Sequence, residues 1–310
     1  MARTSLARRR AGWLNIRRRE AIEGYLYLAP WAAGFLAFIG GPTIASLYLS
    51  FNRYDIVKPP VFVGIQNYVH AFAQDPQFWP SLVKTFYFAG VYVPLTMVAS
   101  LLLALFLNRS FRGISFFRTI YFLPSLVPIV ATTVIWVWIL HPQVGLVNYL
   151  LSLVGIAGPG WLGTIEWAIP SLILLSLWRS AGGETMLIFL AGLQGVPREL
   201  YEAAGLDGAG GWQRFRHVTV PLISPTILFN LILGIIGGLK VFTTAFVATQ
   251  GGPAYATWFY ALNIYAQAFQ FFQMGYASCL AWIFLIIVLV LTYLQFRSSS
   301  RWVYYEGETR

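Results

Sequence analysis

Charged side chains are scarce in this chain beyond its N-terminal segment, and the stretch Glu199–Pro225 is a polar island that holds Glu199, Glu202, Asp207, Arg214, Arg216 and His217 between two apolar runs. No nucleophile with an activating base is visible anywhere, and His70, His141 and His217 are scattered without metal-ligand spacing. Gly234–Lys240 superficially suggests a phosphate loop, but Leu239 stands where a second glycine is required and the segment is membrane-like, so no nucleotide site is encoded. What remains for Glu199–Pro225 is either a plain solvated loop or a recognition element. Its pattern favours the second. Pro197 to Leu206 reads as helix, with Pro197 at a tolerated first-turn position and Glu199 and Glu202 near the positive end of the dipole. Gly208, Gly210 and Gly211 then break it, Trp212 to Val218 allows a second short helix, and Pro221 and Pro225 introduce the next apolar run. The prediction is a helix-turn-helix outside the bilayer.

The elements that must position this loop are membrane helices. Of 310 residues 58% are hydrophobic and only 10% charged, and the mean hydropathy is +0.65, so a soluble core cannot hide the apolar surface. The net charge of +10 raises the question of nucleic acid, but the basic residues flank apolar spans instead of alternating with aromatics along one face. Cys279 is the single cysteine and sits in an apolar run, which excludes an intrachain disulfide or a cysteine metal cluster.

Residues 1–20 carry Arg3, Arg8 to Arg10 and Arg17 to Arg19 around Trp13, Leu14 and Ile16, and read as an uncleaved, interfacial lead-in. Six spans follow, at about Tyr25–Leu49, Thr85–Leu107, Thr119–Leu140, Trp167–Leu193, Ile223–Ala248 and Tyr276–Phe296. The first, with Pro30 and Gly40-Gly41-Pro42, is expected to be irregular and packed against other helices, and the third is interrupted by Pro124 and Pro128. Asn52–Pro80 is expected to be a polar loop with short helical pieces at best, and His141–Glu166 a glycine-rich loop. With the N-terminus inside, sixteen Lys and Arg residues fall on inner segments, against Arg53, Lys58 and the boundary Lys84 outside. That asymmetry puts both termini and the Glu202 loop in the cytoplasm. The fold class is therefore an all-α integral membrane protein with six transmembrane helices and cytoplasmic termini. Its parts are a basic segment over 1–20, a membrane domain over 21–298 with the loop at 195–221, and a tail over 299–310.

Arg179, Glu184 and Lys240 fall inside spans, where ionisable groups mark a pathway, a pair, or a helix end from which the side chain snorkels. Arg179 is close to the midplane of the fourth span, whereas Lys240 either lines a pathway or reaches the headgroups. Arg179 and Glu184 are about 140° apart on an ideal helix and cannot pair unless Gly182-Gly183 distort the turn. Gly234, Gly237 and Gly238 admit two readings, close helix packing or a backbone-lined bay for a hydroxylated ligand.

Glu202-Ala203-Ala204, three residues, Gly208, nine residues, Val218, one residue, Val220-Pro221 resembles the cytoplasmic loop of binding-protein-dependent ABC transporter permeases, with valine at both aliphatic positions. Asp207-Gly208-Ala209 is frequent in the sugar-transporting branch. Gly24-Tyr25-Leu26, Ala29-Pro30-Trp31, Ala191-Gly192-Leu193-Gln194, Gly251-Gly252-Pro253 and Trp302-Val303-Tyr304-Tyr305-Glu306 also look like that branch, on the first of its two permease partners.

The resemblance implies a type I ABC importer permease fold in the cytoplasmic (inner) membrane of a bacterium or archaeon. It implies that Glu202, Ala203, Ala204, Asp207, Gly208 and Pro221 belong to an element that docks on an ATPase. The implied partners are a second homologous permease, two ATPase subunits, an extracytoplasmic solute-binding protein and membrane lipid. Nucleic acid is not among them. The chain itself would be non-catalytic and hold no metal or cofactor, with ATP and magnesium on the ATPase. Registering the sequence on Leu177-Trp178 and on Gly251-Gly252-Pro253 puts Ser176, Arg179, Ser180, Gly183, Gly234, Gly237 and Gly238 where the maltose-type permease contacts sugar. Their identities differ from the maltose pattern, and a cation there suits a polyhydroxy or anionic solute such as a sugar, polyol or sugar phosphate. The competing classes are a secondary carrier or channel, which lacks support from any inverted repeat, a membrane scaffold, and an ABC permease for a non-sugar solute.

Overall fold

The computed structural model describes residues 2–304, with side chains from Arg17 onward. The side chains of Arg3, Arg8 to Arg10, Trp13, Leu14 and Ile16, and the end of the tail with Tyr305, Glu306 and Arg310, lie outside the described residues.

The chain starts with α1 (Ala2–Phe35), which runs through a five-residue π turn, Leu36–Gly40, into α2 (Gly41–Ser50). Pro42 has no N–H to donate, so the π turn absorbs Gly40-Gly41-Pro42 without breaking the helix. Expected packing on other helices holds only in part. α2 lies along the last helix, with Trp282 Nε1 donating to Ser46 Oγ at 3.1 Å, but the apolar run of Arg17–Ser50 has no buried residues within this chain until Ser50.

Asn52–Pro80 is more ordered than the sequence suggests. β1 (Asn52–Arg53) pairs antiparallel with β2 (Val61–Phe62), and α3 (Gln66–Ala73) follows. The Asn67 side chain donates to the carbonyls of Ser50 and Asn52, at 2.8 and 3.0 Å, which holds this cap to the end of α2. Tyr276 donates to Asp75 at 2.6 Å and ties the cap to the last helix.

The second span begins earlier than expected, as α4 (Phe78–Leu107). It is the spine of the molecule: three clusters of buried apolar side chains form along it, around Phe78 and Leu82, around Phe88, and around Ala104 and Leu107. The third span is interrupted as expected, though at one proline and not two, and divides into α5 (Ile114–Leu126) and α6 (Ile129–Ile139), bent by 95°. Pro128 is the cause, because the residue before a proline is pushed out of the helical region, and Val127 is extended at φ −74°, ψ 135°. Pro124 stays within α5. Arg118 belongs to α5 and not to the preceding loop, and its guanidinium donates to the Leu107 carbonyl at 3.0 Å, where the negative end of α4 favours a cation.

α7 (Leu146–Leu153) lies in the glycine-rich loop after the third span and is anchored by Asn148, which donates to the Pro142 carbonyl and accepts from Trp161 Nε1 at 2.6 Å. The fourth span is also a pair, α8 (Ile165–Ser180) and α9 (Glu184–Gln194), bent by 48° at Gly182-Gly183. The bend is supported from both sides. Ser100 on α4 donates to the Ala181 carbonyl at 2.8 Å, and Gly182 lies so close to the Tyr121 carbonyl that a Cβ has no room.

α10 (Arg198–Leu206), α11 (Gly211–Arg214) and α12 (Val220–Leu222) make the charged loop, with a π turn at Phe215–Thr219. The remaining helices are α13 (Ser224–Leu239), α14 (Thr243–Thr249), α15 (Tyr260–Tyr265) and α16 (Met274–Ser299). Lys84 Nζ, near the start of α4, donates to the Tyr255 carbonyl in the loop between α14 and α15, at 2.8 Å. Among the described residues four helices are long and apolar enough to cross a membrane, six if each bent pair forms one span.

The α8–α9 bend gives a stability prediction. Gly182→Ala forces the Tyr121 backbone aside and is expected to lower the melting temperature in detergent, at an overpacking cost of about 1–3 kcal/mol. Gly90→Ala on α4, where a Cβ meets nothing within 4 Å, serves as the control and is expected to leave it unchanged or slightly raised.

Candidate functional site

Two sites can be built from the residues, a loop surface at one end of the helices and a pair of cavities between them.

At the loop, the apolar positions of the motif fasten it and the polar ones are left outside. Val196 and Ile223 are buried against Leu107, Phe189 and Leu193, and Tyr201, Val218 and Leu222 pack on the same cluster. Tyr201 and Thr219 share a hydrogen bond of 2.9 Å that closes the two arms on each other. Gly208 provides the turn between them at φ +78°, a conformation that costs a residue with a Cβ. Gln213 Oε1 accepts the Gly210 N–H at 2.7 Å and starts the second arm. Glu202, Ala203 and Asp207 are exposed, Ala204 and Pro221 half-buried. Ala204, Asp207, Gly208, Arg214 and His217 border a cleft of about 290 Å³. Sequence reasoning missed the two most exposed apolar groups here, Leu206 at 91% and Trp212 at 70%. Their signal was present: a leucine and a tryptophan flanking a glycine hinge in a segment otherwise polar.

The cavities lie along α4. One, of about 250 Å³, is walled by Tyr92, Val93 and Thr96 from α4, Glu184 and Thr185 from α9, and Asn230, Gly234 and Gly237 from α13. The other, of about 170 Å³, is walled by Tyr92 again, Ser176, Arg179 and Ser180 from α8, Gly237 and Lys240 at the end of α13, and Thr243 and Thr244 from α14. Four residues expected at a solute path, Ser176, Arg179, Ser180 and Gly237, thus meet in one cavity.

The other three divide. Gly234 lines the first cavity but also meets Val93, and Gly238 is buried, with a built Cβ 3.0 Å from Val93 Cγ2 and 3.3 Å from Ala89 Cβ. Both glycines therefore let α13 approach α4. Gly183 sits at the α8–α9 bend, a built Cβ 3.2 Å from Ser125 Cβ, outside both cavities. Glu184 begins α9 beyond the bend and forms no ion pair with Arg179. Lys240 joins Arg179 in the second cavity. Thr96 and Asn230 were not legible as site residues. Thr96 Oγ1 is buried without a partner, and Asn230 donates weakly to the Thr185 carbonyl at 3.4 Å.

Neighbouring glycines therefore predict opposite outcomes. Gly238→Ala crowds Ala89 and Val93 and is expected to lower the melting temperature of the purified protein. Gly237→Ala meets nothing within 4 Å and is expected to fold at least as stably, gaining about 0.5–1 kcal/mol of helix preference. Thermal unfolding in detergent separates the two.

Comparison with known proteins gives the chain its family. The chain is 40% identical over 295 residues to a probable ABC transporter permease protein of Bacillus subtilis, YesP, covering 94% of each chain. It is 35% identical over 281 residues to the trehalose/maltose transport system permease protein MalF of Thermococcus litoralis, covering 90% of this chain and 93% of that one. Among solved structures it resembles a chain of a bacterial ABC transporter involved in the import of the acidic polysaccharide alginate. That match has a TM-score of 0.81 and 27% identity, over 93% of this chain and 98% of the other. Residues 82–303 match the family described as binding-protein-dependent transport system inner membrane component, and with most of α4, the loop and both cavities inside that match the chain belongs to this family of multi-pass membrane permeases.

Proposed function

We propose that this chain is the permease subunit of an ATP-driven importer that carries a carbohydrate or related solute across the cytoplasmic membrane of a bacterium or archaeon. One observation carries the reading. The exposed loop from α10 to α12 is a direct continuation of α9 on one side and α13 on the other, and these two helices wall the first cavity. A partner that moves the loop moves both cavity walls.

The loop offers what such a partner needs. Glu202 and Asp207 give charge, Leu206 and Trp212 give exposed apolar anchors, and Val196, Val218 and Ile223 pass the displacement to the helix cluster. In this reading Glu202, Ala203, Ala204, Asp207, Gly208 and Pro221 couple to one of two ATPase subunits, which bind ATP and magnesium. The chain itself is non-catalytic and holds no cofactor. The excess of basic residues on the loop's side of the spans supports a cytoplasmic loop within reach of that subunit. A second homologous permease completes the pathway and covers the apolar Arg17–Ser50 run, which is unburied in this chain up to Ser50, and an extracytoplasmic binding protein delivers the solute. The structure of the alginate transporter with an alginate pentasaccharide-bound periplasmic protein, 26% identical to this chain, supports that last partner. A named relative carries trehalose and maltose and a structural neighbour imports an acidic polysaccharide, so carbohydrate is the shared class.

Charge reversal at the loop tests the proposal. Glu202→Lys is expected to abolish solute-dependent ATP hydrolysis and uptake in proteoliposomes, while the chain still inserts and purifies. Leu206→Asp is expected to weaken co-purification of the ATPase by about tenfold or more. Uptake at the native rate in Glu202→Lys contradicts the coupling role.

A further inference from the structure

The second cavity holds two cationic side chains and no acidic one. Arg179 comes from the last turn of α8 and Lys240 from the residue that ends α13. Among the described residues the one ion pair is Arg19–Glu23, so neither cation has a carboxylate partner. Arg179 is poorly satisfied in other ways too. Its Nη2 donates to the Ser125 carbonyl at 3.4 Å, and its Nε is buried with no acceptor. Glu184, the acidic group nearest in the chain, lines the adjoining cavity, which shares only Tyr92 and Gly237 with this one.

A helix C-terminus favours a cation, and both residues have that help. The dipole accounts for their being tolerated there, but it offers no acceptor to the buried Nε, and it does not explain why cations from two separate helices converge on one cavity. A guanidinium presents a planar fork suited to a carboxylate, and an ammonium adds a compact, freely turning charge. Ser176, Thr243, Thr244 and Tyr92 surround them with hydroxyls suited to a sugar's own.

We propose that Arg179 and Lys240 form an anion-selecting pair, and that the solute is an acidic saccharide whose carboxylate passes between them. This rests on the importer reading above and narrows its substrate class to uronic-acid-bearing sugars.

The test uses the whole transporter in proteoliposomes with its binding protein. The probes are disaccharides of galacturonate, mannuronate and glucuronate, each beside its carboxyl-reduced neutral counterpart. ATP-dependent uptake of at least one uronate is expected to exceed that of its neutral counterpart by about tenfold or more. Arg179→Gln and Lys240→Gln are each expected to lower uronate uptake by a similar factor, with Arg179→Lys keeping part of it. The binding protein is the same in every variant, so a changed preference belongs to the cavity. Should either glutamine variant fail to assemble, the charge-keeping variant Arg179→Lys with Lys240→Arg is expected to retain the acidic preference. Equal or exclusive ATP-dependent uptake of neutral sugars overturns this proposal and leaves the importer standing, as does unchanged uronate uptake in the glutamine variants. Absence of uptake of every uronate overturns this proposal alone, and uptake that ignores ATP overturns both.

Discussion

The approach of α13 to α4 at Gly234 and Gly238 is the contact on which the rest of the structure depends. With Ala89 and Val93 on the facing side, no side chain larger than hydrogen fits at Gly238 without displacement. Close backbone approach suits a membrane protein, where apolar side chains gain little by leaving lipid and packing itself must hold helices together. The same contact fixes the face of α13 that carries Asn230 and Gly237, and with it the cavities on either side. The loop inherits its position from this arrangement, since Ile223, at its junction with α13, is buried beside the end of α4.

The cavities occur where the backbone is broken. α8 gives way to α9 at Gly182-Gly183, and α13 gives way to α14 at Lys240. Freed backbone groups at such breaks need partners in a medium without water, and at the α8–α9 break one is supplied. Ser100 takes the Ala181 carbonyl, while the close seat of Gly182 on Tyr121 keeps α5 against the bend. The breaks also bring two helix C-terminal ends, each with its cation, to one place. A polar interior is thus made from an apolar sequence by a few termini and hydroxyls, not by a charged helix face.

Much of this was legible in the sequence, and the parts that were not share a cause. The hinge around Gly208, the arm ending at Leu206 and the proline-marked return could be read because turn chemistry is local. Six apolar runs could be counted because span length is local too. Choosing Pro128 over Pro124 as the break needed the surroundings of both, since a helix in a membrane tolerates a proline whose freed carbonyl is met elsewhere. The glycines of α13 read alike in sequence, yet Gly238 packs and Gly237 opens onto both cavities, because one residue turns the face by about 100°. The ordered cap over Asn52–Pro80 escaped notice because the side-chain amide of Asn67 and the Asp75–Tyr276 contact, not hydrophobic periodicity, hold it. Lys240 beside Arg179 escaped for a related reason: convergence of helices far apart in the chain leaves no trace in spacing.

The central claim is that this chain works only as part of an ATP-driven assembly. Gentle detergent purification of the tagged chain, with mass spectrometry of what accompanies it and an ATPase assay on the eluate, tests it most directly. The account predicts an ATPase and a second six-span permease in the eluate, with hydrolysis stimulated by a loaded solute-binding protein. A lone chain that transports solute without ATP would contradict it.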